Sequence, residues 1–235
     1  MDSLYIVMPA YNEEDNIIDV VNSWYPLLKG KSKKSRLVIA DSGSTDKTHE
    51  ILLELQKKYS QLVIIDNTLK QHGPKVIALY DYAIKNNIDY IFQTDSDGQT
   101  NPDEFDSFWK LRKKYDAIIG HRPNRGDGKS RAFVEKVVCI LLRIIFKVKV
   151  PDANAPFRLM KSTTVNKYLY RMNYDYELPN IMITTYFKYY KEKICFKEIS
   201  FKQRNAGKNS INIKKIIKIG LKSIKDFRHF KKEMK

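Results

Sequence analysis

The sequence LYIVMPAYNEE at residues 4–14 predicts how the fold begins. Its first five residues are apolar and rich in β-branched or aromatic side chains, which is typical of a buried strand. A turn with Pro9 and two acidic residues follows, and a segment with apolar residues at helical spacing begins at residue 16. A buried strand that leads through a polar turn into a helix is the building unit of α/β proteins.

The same unit recurs through the first half of the chain. Further strands are predicted at residues 37–40, 62–65, 90–93 and 117–119, and helices at residues 16–28, 46–59, 74–85 and 102–114. This alternation predicts an α/β fold with a mainly parallel, twisted sheet and helices on both faces. Ligands of such sheets bind beyond the carboxyl ends of the strands, so functional residues are expected there.

The second half is less regular. Its pattern predicts helices at residues 130–146 and 178–190, strands at 158–161 and 194–201, and a basic amphipathic helix from residue 211. No repeat or Gly/Ser linker divides the chain. We therefore expect one domain over residues 1–210 and a basic amphipathic C-terminal helix over 211–235.

Composition favours an anionic partner. The 235 residues include 43 Lys and Arg against 27 Asp and Glu, a formal charge of +16, and 43% are hydrophobic, enough for a core. Such an excess is typical of proteins that bind nucleic acid, anionic membranes or phosphorylated substrates. No signal peptide is recognisable, and the longest apolar stretch, residues 137–146, is interrupted by Arg143 and too short to span a bilayer. A cytoplasmic protein is expected.

An acidic segment, TDSDGQ at residues 94–99, follows the fourth strand. Asp95 and Asp97 are two residues apart, so an extended backbone directs both carboxylates to one side. Two converging carboxylates, with the Gln99 carbonyl beside them, suit Mg²⁺ or Mn²⁺ held also by substrate phosphates. The alternative is a polar β-turn, because Asp, Ser and Gly favour turns.

A second acidic segment, DSGSTD at residues 41–46, follows the second strand. Asp41 could accept a hydrogen bond from a nucleobase or a ribose hydroxyl. Ser44 or Asp46 could instead cap the following helix, with Gly43 in a turn. Both interpretations can hold together.

Taken together and in order, these segments resemble the inverting glycosyltransferases of family 2, which have the GT-A nucleotide-sugar fold. VMPAYNEE at residues 7–14 is similar to that family's first strand and turn, DSGSTDKT at 41–48 to its second motif, and DSDGQ at 95–99 to its metal motif. The similarity is greatest to the dolichol- and polyprenyl-phosphate sugar transferases, where a proline-led helix also follows, as at Pro102. It extends over residues 4–204.

The resemblance implies a set of contacts to a nucleoside-diphosphate sugar of the UDP or GDP type. Residues implied to bind the nucleotide are Pro9, Tyr11, Glu13, Asp41, Lys75, Asp95 and Ser96. Residues implied to hold Mg²⁺ or Mn²⁺ on the diphosphate are Asp95, Asp97 and Gln99. The metal would offset charge on the leaving nucleoside diphosphate while a nucleophile attacks the anomeric carbon.

Two basic loops, at residues 122–131 and 201–210, are implied by the resemblance to bind donor diphosphate or acceptor phosphate. Arginine suits this role because a guanidinium donates two parallel hydrogen bonds to phosphate. Together with Asp97, the residues assigned to catalysis are Arg122, Arg131 and Arg204. The alternative is that these loops are simply exposed basic segments. Near them, DANAPFR at residues 152–158 departs from the family's pattern, since Pro156 stands in place of glycine.

The acceptor is expected to be a phosphorylated lipid or a lipid-linked glycan in cell-surface polysaccharide synthesis. Asp175 and Glu177 are the nearest candidates for the general base of sugar-hydroxyl transferases, although acids are also favoured at a helix N-terminus. A phosphate acceptor is already ionised and needs no base. The weak match to the general-base motif therefore favours a phosphate group as the acceptor.

The tail suggests a membrane contact. Residues 202–235 contain twelve Lys or Arg and two acids, interleaved with apolar residues at helical spacing. This pattern suits a helix in an anionic membrane interface, on the inner face of the membrane, with Arg143 and Lys147 adding a second contact. A helix that packs on the core with a solvated basic face has the same pattern.

Two other functions compete with a glycosyltransferase. A nucleic-acid-binding module would explain the basic charge but not the acidic segments, so no nucleic-acid partner is expected. A nucleotidyltransferase would also use Asp-x-Asp and a metal, but its usual glycine-rich loop is not found at residues 9–14.

Overall fold

The structure is a computed structural model that describes residues 1–123, 129–202 and 213–234, with the backbone alone for residues 129, 130 and 213–222. The strands are β1 (Leu4–Ala10), β2 (Arg36–Asp41), β3 (Leu62–Ile65), β4 (Tyr90–Gln93), β5 (Ala117–His121), β6 (Arg158–Lys161) and β7 (Ile194–Glu198). The α-helices are α1 (Ile17–Trp24), α2 (Thr48–Lys58), α3 (His72–Lys85), α4 (Phe105–Trp109), α5 (Lys129–Phe146), α6 (Ser162–Leu169), α7 (Pro179–Tyr189) and α8 (Ile213–Glu233).

All seven strands form one sheet in the order β3-β2-β1-β4-β6-β5-β7. Only β6 runs antiparallel to its neighbours β4 and β5. The predicted α/β fold with a mainly parallel sheet is therefore confirmed. The parallel strands β1, β2 and β4 are adjacent, with Ala10 opposite Asp41, and their carboxyl ends lie on one edge of the sheet.

Alternate residues of the central strands enter two cores, as expected for a sheet covered on both faces. On one face Val7, Val38 and Ile91 pack with α3, α7 and the end of α8. On the other face Ile6 and Phe92 pack with α1 and α4. Helices thus cover both faces, as the sequence predicted.

Several predicted boundaries differ from the structure. The first helix ends at Trp24 and continues as a 3-10 helix, Tyr25–Leu28, because Pro26 lacks the N–H that an α-helix needs there. The helix predicted to reach residue 114 ends at Trp109, and i→i+3 turns such as Lys114 N to Leu111 O follow. The last strand ends at Glu198 instead of 201, and α6 was not predicted.

The end of α8 packs on the core. Phe227, Phe230 and Met234 are buried, and the Phe227 ring lies 5.8 Å from that of Phe146 in α5. For the described side chains of α8, the core-packing interpretation therefore holds. The apolar residues predicted to contact a membrane at 211–221 lie outside the described side chains.

In the part of the chain that the structure describes, none of the helices has the length and apolar character to cross a membrane.

Candidate active site

Three loops meet where β1, β2 and β4 end. The Ser96 hydroxyl donates a 2.9 Å hydrogen bond to the carbonyl of Pro9, which joins the loop after β4 to β1. The Asn12 amide donates to Ser44 Oγ at 3.1 Å, and the Thr45 amide donates to Asn12 Oδ1 at 2.8 Å, which joins the loops after β1 and β2. The turn after β1 and the two acidic segments thus belong to one polar rim.

The turn after β1 is held by its own unusual backbone. Asn12 has φ +55°, a left-handed conformation that Asn tolerates better than most residues. The turn places the Glu13 amide 2.7 Å from Thr48 Oγ1, and the buried Glu13 carboxylate accepts from Asn16 Nδ2 at 2.7 Å. Glu13 therefore fixes the turn to α2 and to the start of α1.

Asp41 is a buried carboxylate at the end of β2. Its Oδ1 accepts a hydrogen bond from the Ser44 hydroxyl, and its Oδ2 lies 3.1 Å from Nδ1 of His49. These contacts fix the orientation of Asp41. Through this contact His49 of α2 is also part of the rim.

Lys75, in the first turns of α3, is nearly fully buried and donates to the carbonyl of Ala10. Burial lowers the pKa of Lys75 to about 8, while the charge of Asp41 acts in the opposite direction. The ammonium groups of Lys70 and Lys75 lie 4.7 Å and 5.4 Å from the centre of the Tyr11 ring. Tyr11 is therefore a partly exposed aromatic surface beside two amines.

The Asp95, Asp97 and Gln99 turn has the donors of a divalent cation site. Asp95 Oδ1 lies 3.3 Å from His72 Nε2, and Asp97 Oδ1 accepts from the Gln99 amide at 3.1 Å. Gln99 Nε2 donates to Lys202 O at 2.8 Å, which leaves Oε1 as the atom a cation would use. Gly98 has φ +72°, the conformation that lets this turn close.

Within the described ranges, no three or more His, Cys, Asp or Glu side chains are grouped to hold a metal ion. Two carboxylates and one amide oxygen still fit Mg²⁺ or Mn²⁺, because such ions in phosphate-binding sites take their remaining ligands from phosphate and water. A cation here would therefore depend on a bound diphosphate.

A buried polar network contacts Asp95 from the core side of the sheet edge. Gln93 Nε2 lies 3.4 Å from Asp95 Oδ1, and the Tyr80 hydroxyl lies 3.1 Å from Gln93 Oε1 and 2.9 Å from Asn180 Oδ1. The fully buried Arg158 guanidinium donates to the carbonyl oxygens of Asn180 and Ala155. No residue of this network was singled out for the site from the sequence, because its members come from four separate elements.

The loop before α7 contacts the start of α3. Gly73 lies so close to the carbonyl oxygens of Tyr176 and Glu177 that a Cβ at this position would overlap them. His72, the residue before Gly73, contacts Asp95. The loop that carries the candidate bases Asp175 and Glu177 therefore packs against the first turn of α3. The same turn of α3 contacts Asp95 through His72.

The predicted catalytic arginines have different environments. Arg122 is buried and forms a bidentate ion pair with Asp152, at 2.8 Å from Nε and 3.0 Å from Nη2. Its guanidinium also lies 4.9 Å from the centre of the Phe201 ring. Arg131 lies in the first turn of α5, and Arg204 lies outside the described residues. Arg122 therefore links the loops after β5 and α5.

Comparison with known proteins decides the family. Residues 5–186 match the model of the family described as Glycosyl transferase family 2. The chain belongs to this family. The resemblance to family 2 that the motifs predict is thereby confirmed.

Among its curated relatives, the chain is 30% identical over 168 residues to a glycosyltransferase of Synechocystis sp., covering 69% of this chain and 51% of the relative. It is 27% identical over 137 residues to the undecaprenyl-phosphate 4-deoxy-4-formamido-L-arabinose transferase of Photorhabdus laumondii, covering 57% of this chain and 41% of the relative. The chain therefore spans about half, or less, of the length of these family 2 relatives.

Solved structures agree on the fold. Glucosyl-3-phosphoglycerate synthase from Mycobacterium tuberculosis, in complex with Mn²⁺, UDP-glucose and glycerol 3-phosphate, has a TM-score of 0.64 at 17% identity, covering 88% of this chain and 73% of the synthase. TarS of S. aureus has a TM-score of 0.59 at 17% identity, covering 86% of this chain and 60% of TarS. The predicted GT-A fold is thus confirmed.

Proposed function

We propose that this family 2 member is a metal-dependent inverting glycosyltransferase that moves a sugar from a UDP- or GDP-sugar to a membrane-associated lipid phosphate or lipid-linked glycan, in cell-surface polysaccharide synthesis. The observation that carries the proposal is the junction of the three loops, in which Ser96 binds Pro9 and Lys75 binds Ala10. With the Asn12–Ser44 contact, these bonds bring the buried Asp41 carboxylate, the buried Lys75 amine and the Asp95–Asp97 turn onto one rim.

The donor base and ribose would lie along Pro9, Tyr11, Glu13 and Asp41. Asp41 is held by Ser44 and His49, so its carboxylate is already oriented to accept a hydrogen bond from a nucleotide. Tyr11 offers a partly exposed ring for contact with a flat base. The Lys75 ammonium would add positive charge on the side of the diphosphate.

Asp95, Asp97 and Gln99 would hold Mg²⁺ or Mn²⁺, and Ser96 between them fixes the turn through Pro9. The cation would neutralise charge on the nucleoside diphosphate as it leaves. The synthase of similar fold was crystallised with Mn²⁺ and UDP-glucose, which supports this part of the proposal. Arg131 and Arg204 would bind phosphate, whereas Arg122 would hold the surrounding loops through Asp152.

A phosphate acceptor is supported by the relatives. They include an undecaprenyl-phosphate and a dolichyl-phosphate sugar transferase, the latter from Trichomonas vaginalis and 27% identical over 44% of this chain. A phosphate oxygen is ionised at neutral pH, so attack on the anomeric carbon would need no proton removal by Asp175 or Glu177. A lipid-linked acceptor places the enzyme at a membrane surface, and we propose the cytoplasmic face.

The test is donor binding followed by transfer. Thermal unfolding is measured with UDP, GDP and ADP, each with and without Mn²⁺, because a ligand of the folded state raises the melting temperature. We expect one diphosphate to stabilise the protein only when Mn²⁺ is present, and transfer from the matching nucleotide sugar to a polyprenyl phosphate to stop in EDTA. Transfer that is unchanged in EDTA would contradict the metal mechanism.

A further inference from the structure

Helix α5 carries a row of apolar side chains that are exposed among the described residues. Phe133, Val137, Ile140 and Ile144 are 67%, 38%, 56% and 60% exposed. Their spacing of four, three and four residues places them along one side of the helix, over about 16 Å. We call these four side chains the α5 stripe.

The helix is fixed so that this side faces outward. Leu142 and Phe146, on the opposite side, are buried in the core, and Phe146 contacts Phe227 of α8. The Glu135 carboxylate accepts a 2.7 Å hydrogen bond from the amide of Ala153. The α5 stripe therefore cannot turn inward without the loss of these contacts.

Charge next to the α5 stripe is positive. Lys136 and Arg143 are exposed within α5, and exposed Lys147 directly follows it. Glu135 is the only acidic residue of the helix and is bound to Ala153. A second copy of this chain, with its formal charge of +16, would bring like charges together, whereas an anionic lipid surface would attract them.

We propose that the α5 stripe enters the interface of an anionic membrane while Lys136, Arg143 and Lys147 bind its headgroups. The proposal rests on the proposed lipid-linked acceptor for its purpose, but the contact itself is independent of it. It assigns the apolar membrane contact to α5, whereas the described end of α8 packs its own apolar side chains on the core. Because β5 runs parallel to β4, the start of α5 follows a strand end on the site edge of the sheet, so docking would hold that edge near the lipids.

The experiment is co-sedimentation of the full chain with vesicles that contain no acceptor. Vesicles of phosphatidylcholine with phosphatidylglycerol are compared with vesicles of phosphatidylcholine alone, at low and high salt. The triple variant Phe133→Ser/Ile140→Ser/Ile144→Ser removes three exposed side chains, and Leu53→Ser removes an exposed leucine of α2 as the matched control. A further variant, Lys136→Gln/Arg143→Gln, keeps the α5 stripe and removes two charges.

We expect binding to the anionic vesicles, a loss of about tenfold or more in partitioning for the triple variant, and no change for Leu53→Ser. The Lys136→Gln/Arg143→Gln variant should bind more weakly and respond less to salt. The proposal is overturned if the intact chain does not bind anionic vesicles, or if both stripe and charge variants bind like the wild type. It is also overturned if the wild type forms a dimer that the triple variant abolishes.

Nucleotide binding separates this proposal from the proposed function. Thermal stabilisation by UDP or GDP with Mn²⁺ is measured on the same variants. We expect it to be unchanged by the triple variant, which also shows that the variant is folded. Vesicle binding without any nucleotide binding would contradict the donor assignment alone, and the reverse result would contradict the α5 stripe alone.

Discussion

The Tyr80 hydroxyl lies 3.1 Å from Oε1 of Gln93, whose amide nitrogen lies 3.4 Å from Asp95 Oδ1. Both Tyr80 and Gln93 are fully buried, so their contact with each other is shielded from water. Burial also raises the pKa of Tyr80, which keeps the hydroxyl protonated at neutral pH. The carboxylate expected to bind the cation is therefore oriented by the core.

Tyr80→Phe tests this orientation. Loss of the hydroxyl removes the proton that it donates to a buried amide oxygen, so we expect the free energy of unfolding to fall by about 1–3 kcal/mol. Affinity for UDP or GDP with Mn²⁺ should fall as well, because Gln93 is no longer held beside Asp95. Tyr168→Phe is the matched control, since it removes a hydroxyl that binds Glu192 at 2.6 Å in another part of the protein. An equal loss of nucleotide affinity in both variants would argue against a specific role for Tyr80.

Asp97→Ala should abolish sugar transfer in a folded protein. Loss of a carboxylate that holds the cation removes several kcal/mol of transition-state stabilisation, or roughly a thousandfold in rate. Asp103→Ala is the control, because it removes an exposed acid six residues after Asp97, and it should retain activity. Transfer rates and circular dichroism check both variants, and normal transfer by Asp97→Ala would refute the assigned role.

Asp41→Asn should weaken nucleotide binding about tenfold or more, because a hydrogen bond to a charged acceptor is lost at nearly constant shape. Dependence on Mn²⁺ should remain. Calorimetric titration with the diphosphate measures both effects. Asp66→Asn, at an exposed position after β3, provides the control. If Asp41→Asn binds with unchanged affinity, Asp41 serves only the turn through Ser44 and His49.

Lys75 should make stability depend on pH. Its pKa is about 8 in the folded protein and near 10.5 when unfolded, because burial disfavours the charged amine. The unfolded chain therefore binds more protons between these values, so the Lys75 contribution to stability rises with pH from about 8 to about 10.5. Denaturant unfolding of wild type and Lys75→Met should diverge in slope over this window. Parallel curves would contradict the pKa shift, and the exposed Lys70→Met variant should follow the wild type.

Gly73→Ala should destabilise the protein by about 1–3 kcal/mol, since its Cβ would overlap the carbonyl oxygens of Tyr176 and Glu177. Gly98→Ala meets no neighbouring atom but has φ +72°, so we expect a smaller cost, about 1 kcal/mol. Gly98→Asn should recover part of it, because Asn tolerates this conformation, whereas Gly73→Asn should not. Equal melting temperatures for Gly73→Ala and wild type would show that the loop at Tyr176 moves without cost.

The sequence by itself determined the α/β fold, the mainly parallel sheet and the family. Apolar strands, polar turns and helical spacing are local patterns, and each is visible within about fifteen residues. The motifs at residues 9–14, 41–48 and 95–99 follow strands, and the carboxyl ends of neighbouring parallel strands must share an edge. Their closeness could therefore be predicted before any side chain was placed.

The tertiary structure alone decided which side chains those motifs bind. Three contacts join residues from different elements, so no local spacing encodes them. They are His49 with Asp41, His72 with Asp95, and the ion pair of Arg122 with Asp152. The same holds for the amphipathic helices α5 and α8, which both lie in the second half of the chain. Both show apolar residues at helical spacing, but whether such a face is covered depends on its neighbours: Phe227 of α8 is buried against α5, whereas Ile140 of α5 has no covering partner among the described residues.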